Sequence, residues 1–203
     1  MEADRERWDR RWADSGPTAD EIVPCPPDAL AASPDLLGRA PTVGRALDLA
    51  CGAGAVALWM ADRGLDVTAL DVSPVAISLL DDAAARLGLQ VDARVADTDG
   101  GLPADVTDLA LVVCQRYRAT NLHTELARRL APGGMLVVTV LSEVGLVGTD
   151  RAGEVGPFHA PAGELGRAYA DSGLDVLADV EEDGQASIVL IAPDHPSRPP
   201  ARG

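Results

Sequence analysis

The sequence predicts a doubly wound α/β fold, with a mostly parallel seven-stranded sheet and helices on both faces. From residue 45 onwards, apolar runs alternate with amphipathic segments, which is typical of right-handed βαβ units. A glycine-rich turn at residues 50–54 follows the first apolar run, where such folds bind nucleotides. Asp183-Gly184 separates the last two apolar runs, and Asp-Gly in that position favours a hairpin. The sheet is therefore expected to end with an antiparallel hairpin.

Strands and helices follow from the same pattern. The expected strands are residues 45–50, 66–71, 91–95, 108–114, 134–142, 174–181 and 186–192. The expected helices are residues 2–14, 27–37, 54–63, 74–88, 120–131 and 161–172. Ser73-Pro74 is a good helix start, because Ser caps the first turn and Pro fits the first helical position. Pro132-Gly133-Gly134 is expected to end the helix before the fifth strand.

Length and charge limit the classes of function. The chain has 203 residues, 47% of them hydrophobic, which is enough for one domain with a full core. Its net charge of −15 disfavours nucleic acid and anionic membranes as partners. All 17 basic residues are arginines, which excludes lysine Schiff-base chemistry and a lysine-bearing P-loop. We therefore expect a small-molecule partner, and the protein itself as a monomer or homodimer.

The ends of the chain and its thiols suggest a cytoplasmic protein. Cys25, Cys51 and Cys114 are widely spaced and the histidines are scattered, so we expect reduced thiols and no metal site. The charged N-terminus shows no signal peptide, and no apolar run approaches membrane-spanning length. We expect a helical segment at 1–44, a ligand-binding domain at 45–192 and a proline-rich disordered tail at 193–203.

The segment Asp48–Gly54 is the strongest functional signal. Glycines at 52 and 54 let the backbone approach a ligand, and the following helix offers unpaired N–H groups to an anion. Asp71 ends the second apolar run 71 − 52 = 19 residues after Gly52, close to the spacing of an acid that binds a ribose hydroxyl. The pair indicates an adenosine-type ligand. Gly52–Ala57 also fits the pattern G-x-G-x-x-A, so an NAD(P)-dependent oxidoreductase is an alternative.

Four segments in order resemble motifs of the class I S-adenosylmethionine-dependent methyltransferases: Leu47–Gly54, Thr68–Pro74, Val95–Thr98 and Leu130–Val137. The resemblance covers roughly residues 45–192, and Asp48 stands where a nicotinamide fingerprint usually has an apolar residue. Within the class, the chain is similar to small bacterial enzymes of the tellurite-resistance and thiopurine type, through Trp8–Trp12, Ala61–Val67 and Phe158–Leu165. The resemblance implies a Rossmann-like methyltransferase fold and in-line transfer of a methyl group to a small molecule.

The resemblance also implies a set of cofactor-binding residues. They are Asp48, Ala50, Cys51, Gly52, Gly54, Asp71, Val72, Asp97, Thr98 and Cys114. The glycines would pass under the methionine half of S-adenosylmethionine, and Asp48 would hold the turn or the ammonium group. Asp71 would accept hydrogen bonds from the ribose, and Asp97 with Thr98 would meet the adenine. Plainer alternatives are a tight turn at the glycines, a helix start after Asp71 and a solvated acidic loop at Asp97.

Two residues are candidates for contact with the methyl acceptor. Tyr117 follows the fourth strand, at the edge where ligands bind in such sheets. His159 could act as a base near neutral pH, although an ordinary surface-loop histidine is the favoured interpretation. Trp8 and Trp12, one turn apart on a helix, form either an apolar stripe or a lid. The segment Cys114–Arg118 departs from the subgroup pattern, so a non-catalytic cofactor-binding subunit is a second alternative.

Overall fold

Seven strands form a single sheet through the middle of the molecule. In chain order they are β1 (Arg45–Leu49), β2 (Asp66–Asp71), β3 (Asp92–Val95), β4 (Leu109–Gln115), β5 (Leu130–Leu141), β6 (Asp175–Glu182) and β7 (Gln185–Ile191). Their order across the sheet is β3-β2-β1-β4-β5-β7-β6. The first five pair in parallel, whereas β7 pairs antiparallel to both β5 and β6. This computed structural model describes residues 2–149, 151–156 and 158–194, and it confirms the predicted sheet and its terminal hairpin.

Helices cover both faces of the sheet. They are α1 (Glu2–Ser15), α2 (Asp28–Ala31), α3 (Pro34–Arg39), α4 (Ala55–Asp62), α5 (Pro74–Leu87), α6 (His123–Arg128) and α7 (Glu164–Tyr169). Alternate residues of β1 enter different cores: Ala46 packs with α4 and α5, and Leu47 packs with α6 and α7. Burial on both faces explains the almost continuous apolar runs of the central strands. None of the described helices is long and apolar enough to cross a membrane.

Three helix predictions were wrong in extent. The expected helix at 161–172 forms only over Glu164–Tyr169. The expected helix at 27–37 is two helices, because Ser33 is extended (φ −132°, ψ 97°) before Pro34, and a residue preceding proline is disfavoured in helical conformation. The expected helix at 120–131 stops at Arg128, because β5 already begins at Leu130. The register between β4 and β5 is irregular here, with Leu109 opposite Leu130 and Leu111 opposite Met135. The Pro-Gly-Gly segment is therefore part of a distorted strand.

The start of α5 confirms the predicted cap. The Ala76 N–H donates to Oγ of Ser73 at 3.2 Å, and Pro74 occupies the first turn. Gly88 ends the helix in the left-handed conformation, with φ 68°. The Ser73 cap at the start of α5 fixes the backbone just after β2, at the end of the strand that carries the candidate ligand site. Of the expected disordered tail, residues 195–203 lie outside the described residues.

Candidate cofactor site

The turn between β1 and α4 has two glycines at which any side chain would clash with a neighbour, and the neighbour differs between the two positions. Gly52 and Gly54 both have positive φ, 54° and 82°, which L-residues adopt at a cost. A Cβ at Gly54 would overlap the Leu80 side chain of α5. A Cβ at Gly52 would lie only 2.6 Å from Cζ2 of Trp12 in α1. Ala50 also has positive φ, 56°, so the turn holds one strained non-glycine residue as well.

Asp71 joins the end of β2 to this turn. Its Oδ2 accepts a hydrogen bond from the Gly52 N–H and its Oδ1 accepts one from the Ser73 N–H, each at 2.9 Å. Burial raises the pKa of the Asp71 carboxyl, while these backbone donors lower it. The two predicted ligand contacts therefore share one cleft. We had not predicted that the carboxylate itself holds the turn. The sequence signal for this contact was the 19-residue spacing between Gly52, which follows β1, and Asp71, which ends the adjacent parallel strand β2.

Asp48 lies beneath the turn with an unsatisfied oxygen. Its side chain is only 2% exposed, and its Oδ2 finds no hydrogen-bond partner among the described residues. Burial raises the pKa of Asp48 to about 8, although the Ala57 backbone N–H hydrogen-bonds the carboxyl and lowers it. The carboxyl is therefore protonated at neutral pH in the free protein. An unpartnered buried oxygen is costly, and a cationic ligand group would satisfy it.

A cavity of about 260 Å³ opens beside the ends of β2 and β3. It is lined by Val95 at the end of β3, by Val72 and Asp97 in the loops after β2 and β3, and by Glu2 and Arg5 from α1. Two valines give it an apolar wall and three charged residues surround it, a combination that suits a flat heterocycle with polar edges such as a nucleobase. The structure thus places the predicted residues Val72 and Asp97 around one opening, and α1 lies across it.

Thr98 and Tyr117 connect this cavity with the end of β4. Thr98 is buried, and its side chain lies near the Tyr117 phenol. Burial raises the pKa of Tyr117 by more than the neighbouring Thr98 side chain lowers it, so the phenol is a neutral donor at physiological pH. The Cys114 Sγ donates to the Tyr117 carbonyl at 3.3 Å, and burial raises the pKa of this thiol to about 12. Cys114 is therefore positioned as a structural thiol and not as a nucleophile.

Cys51 and His159 have their own local partners. The Cys51 N–H donates to the Leu70 carbonyl at 3.0 Å, and burial raises the pKa of its thiol well above the usual range. The His159 Nδ1 accepts from the Gly156 N–H at 3.0 Å. An Nδ1 that accepts a hydrogen bond carries no proton, so Nε2 is the N–H donor of the His159 ring.

Residues of α1 close over the site, and sequence reasoning had not singled out the most important one. The Ser73 Oγ donates to Oδ1 of Asp9 at 2.5 Å, which ties α1 to the end of β2. The Arg7 guanidinium lies 4.7 Å from the centroid of the Phe158 ring, so α1 also meets the loop after β5. The spacing of Trp8 and Trp12 did indicate the face that turns inwards. Asp9 lies on that face, but nothing in the sequence identified Ser73 as its partner.

One domain family matches the central part of the chain. Residues 46–134 match a family described as "Methyltransferase domain". This segment contains the glycine turn, Asp71 and the cavity residues Val72, Val95 and Asp97. The fold is that of the class I S-adenosylmethionine-dependent methyltransferases.

Curated relatives and solved structures agree with this fold. The chain is 35% identical over 111 residues to "Ubiquinone biosynthesis O-methyltransferase" of Caulobacter sp. (strain K31), covering 52% of this chain and 44% of that protein. It is 30% identical over 101 residues to "Ribosomal RNA small subunit methyltransferase C" of Alcanivorax borkumensis, covering 46% of this chain and 31% of that protein. The chain thus spans less than half the length of either relative.

A solved structure of similar fold contains a product of methyl transfer. Magnesium protoporphyrin IX methyltransferase from Synechocystis PCC 6803, solved with bound S-adenosylhomocysteine, has 15% sequence identity and a TM-score of 0.63. The alignment covers 94% of this chain and 94% of that chain. At this identity the likeness shows the fold.

Proposed function

We propose that this chain transfers a methyl group from S-adenosylmethionine to a small-molecule acceptor by in-line displacement. The observation that carries the proposal is the hydrogen bond from the Gly52 N–H to Asp71, because it makes the turn and the carboxylate one binding surface. When bound, the cofactor supplies a methyl group on a positively charged sulfur, which becomes a neutral thioether once the methyl group has left.

The residues present fit this cofactor. The unpartnered oxygen of Asp48 suits the ammonium group, and Asp71 keeps a free lone pair on each oxygen for the ribose hydroxyls. The cavity lined by Val72 and Asp97 suits the adenine, with Thr98 buried beside it. In the proposal, the backbone of Ala50–Gly52, the N-terminus of α4 after Gly54 and the carbonyl of Cys114 face the methionine half.

The chain can accelerate the reaction mainly by holding the acceptor in line with the methyl group. Proximity and orientation can lower a barrier by about 7–11 kcal/mol, so a strong base is not required. Tyr117 and His159 are the proposed acceptor contacts, and each offers a hydrogen-bond donor in the present arrangement. The segment 1–44 is proposed as a lid, since Trp12 lies against Gly52 and Asp9 is tied to Ser73.

A small-molecule acceptor is favoured over RNA by charge. The net charge of −15 repels phosphate backbones, although one relative is named as a ribosomal RNA methyltransferase. We also propose a cytoplasmic monomer or homodimer, in keeping with three free cysteines. Similarity to the tellurite-resistance and thiopurine enzymes remains part of this proposal.

A ligand panel and a labelling assay test the proposal. S-adenosylmethionine and S-adenosylhomocysteine should raise the melting temperature, whereas NAD and NADP should not; a ligand at 100 times its Kd stabilises a fold by about 2.7 kcal/mol. Protein incubated with methyl-labelled cofactor and a metabolite extract should then label a small-molecule fraction. A shift with NADP alone would favour the oxidoreductase. Binding without any labelling would favour a non-catalytic subunit, and label confined to RNA would overturn the small-molecule acceptor.

A further inference from the structure

Three carboxyl groups surround the Gly52 turn without a basic partner. They are Asp9 of α1, Asp48 at the end of β1 and Asp71 at the end of β2. No ion pair within residues 2–149, 151–156 and 158–194 involves any of them. Arg5, the α1 arginine that lines the cavity, lies at the adenine end beside Asp97. The negative charge around the turn is therefore not balanced by the protein.

The three groups act on one another electrostatically. After burial, which is the largest cause, the charge of Asp9 contributes to the raised pKa of Asp71. The charge of Asp71 likewise contributes to the raised pKa of Asp48, where burial again dominates. Like charges in a partly desolvated site disfavour simultaneous ionisation. In the free protein the cluster lowers its own charge by keeping a proton on Asp48.

The carboxyl groups of Asp71 and Asp9 are fixed by hydrogen bonds, whereas Asp48 has an oxygen without a hydrogen-bond partner among the described residues. Asp71 is held by the Gly52 and Ser73 N–H groups, and Asp9 is held by the Ser73 hydroxyl. Asp48 is 2% exposed, and its Oδ2 is without a partner in the part of the chain that the structure describes. Fixed acceptors that surround an unsatisfied buried oxygen form a site prepared for positive charge.

We propose that this cluster distinguishes the sulfonium form of the cofactor from its thioether product by charge, and that Asp9 is the specificity residue. This inference rests on the proposed function. S-adenosylmethionine and S-adenosylhomocysteine share the ammonium, ribose and adenine groups and differ at sulfur by a methyl group and one positive charge. Contacts with the shared groups bind both forms equally. Asp48 meets the shared ammonium group and Asp71 the shared ribose, so Asp9 is the carboxylate left to distinguish the two forms, and the cleft holds the methyl donor more tightly than the product. Loss of that charge after transfer then weakens the hold of α1 and favours product release.

Calorimetry with three ligands tests the inference without an acceptor. The probes are S-adenosylmethionine, S-adenosylhomocysteine and sinefungin, an unreactive analogue that carries an amine near the sulfonium position. The wild-type protein should bind both cationic ligands roughly tenfold more tightly than the thioether, the order expected for one added charge several ångströms from a partly buried carboxylate. This preference should weaken at high salt.

Variants test both the charge and the position of Asp9. Asp9→Asn should reduce the preference for the cationic ligands by about threefold, because it removes one carboxylate. Asp14→Asn, on the exposed side of the same helix, should leave the preference unchanged. Ser73→Ala keeps all three carboxyl groups but removes the hydrogen bond that positions Asp9, so it should also reduce the preference for the cationic ligands. Circular dichroism on each variant confirms that α1 is retained.

The outcomes distinguish this inference from the proposed function. If no ligand binds, the methyltransferase proposal itself fails. If all three bind and the thioether binds as tightly as the cations, the methyltransferase proposal stands and selection by charge is wrong. An unchanged preference in Asp9→Asn would likewise overturn the role of Asp9.

Discussion

Polar side chains at the carboxyl ends of β1 and β2 find their partners differently from those at the carboxyl ends of β4 and β5. We call these two regions the first and the second edge. At β1 and β2, the Asp71 carboxylate binds backbone N–H groups, and the neighbouring carboxyls have no ion pair among the described residues. Near the end of β4, Arg118 forms a two-bond ion pair with Glu164 of α7, with Nε 2.7 Å from Oε1. At the first edge, backbone N–H groups hold the Asp71 carboxylate, so its negative charge stays available to a ligand. At the second edge, Arg118 and Glu164 neutralise each other and connect the loop after β4 to α7.

Gly54→Ala should have the largest effect on stability, because it disrupts the backbone geometry of the turn at the first edge. The added Cβ overlaps Leu80 and the residue keeps φ 82°, so we expect a loss of about 3 kcal/mol in the free energy of unfolding. Gly88→Ala is the matched control, since its φ is 68° but nothing lies within 4 Å of the new Cβ. It should cost only about 1 kcal/mol. Urea denaturation measures both, and equal losses would show that crowding by Leu80 is unimportant.

Asp71→Ala should weaken both stability and cofactor binding. From the sequence alone, the role expected for Asp71 was hydrogen bonding to the ribose. The structure adds two buried backbone donors that would lose their acceptor, which costs about 1–3 kcal/mol of unfolding free energy. Calorimetry with S-adenosylhomocysteine and urea denaturation report the two effects. The control Asp175→Ala, an exposed residue of β6, should change neither quantity. Loss of binding with full stability would mean that the turn does not depend on this carboxylate.

Asp48 should couple cofactor binding to proton release. Its pKa is raised to about 8 in the free protein, and an ammonium ligand favours the ionised form and lowers that pKa. Binding at pH 7 should therefore release about one proton, and affinity should rise as the pH approaches about 8 and then level off. Stability of the free protein changes in the opposite sense: it falls as the pH rises between the ordinary carboxyl pKa of 3.8 and the folded pKa of about 8, because over this range the unfolded chain ionises while the buried group stays protonated.

Calorimetry in buffers of different ionisation enthalpy measures the released proton. The variant Asp48→Asn cannot ionise at this position, so its proton release should fall by the same amount. Equal proton release in the variant and the wild-type protein would place the titrating group elsewhere.

Glu164→Gln should show the smallest effect on stability and none on cofactor affinity. The pair is partly buried, with Arg118 29% and Glu164 16% exposed, so its loss should cost about 1 kcal/mol of unfolding free energy. The effect should instead appear in labelling rates, because Tyr117 is adjacent to Arg118. Glu125→Gln breaks the similarly exposed Arg129 pair in and just after α6 and should leave labelling unchanged. A reduced cofactor affinity in Glu164→Gln would mean that the two edges are coupled.

The first edge was predictable from the sequence because its contacts are set by local motifs on adjacent strands. The glycine turn, Ser73-Pro74 and Asp71 each carry a local signal, and the parallel pairing of β1 and β2 brings them together. The second edge depends on side chains 46 residues apart, such as Arg118 and Glu164. Periodicity also overestimated α6, since pairing of Leu130 with β4 takes precedence over helix formation.

The contact between Trp12 and Gly52 makes an intrinsic optical probe of the molecule. The chain has three tryptophans, and Trp59 is buried in the core. A Trp8→Phe protein would leave Trp12 as the remaining indole at the cleft. Its emission should shift whenever a molecule enters beside Gly52 or α1 moves away, so that compound collections could be screened by fluorescence before any acceptor is identified.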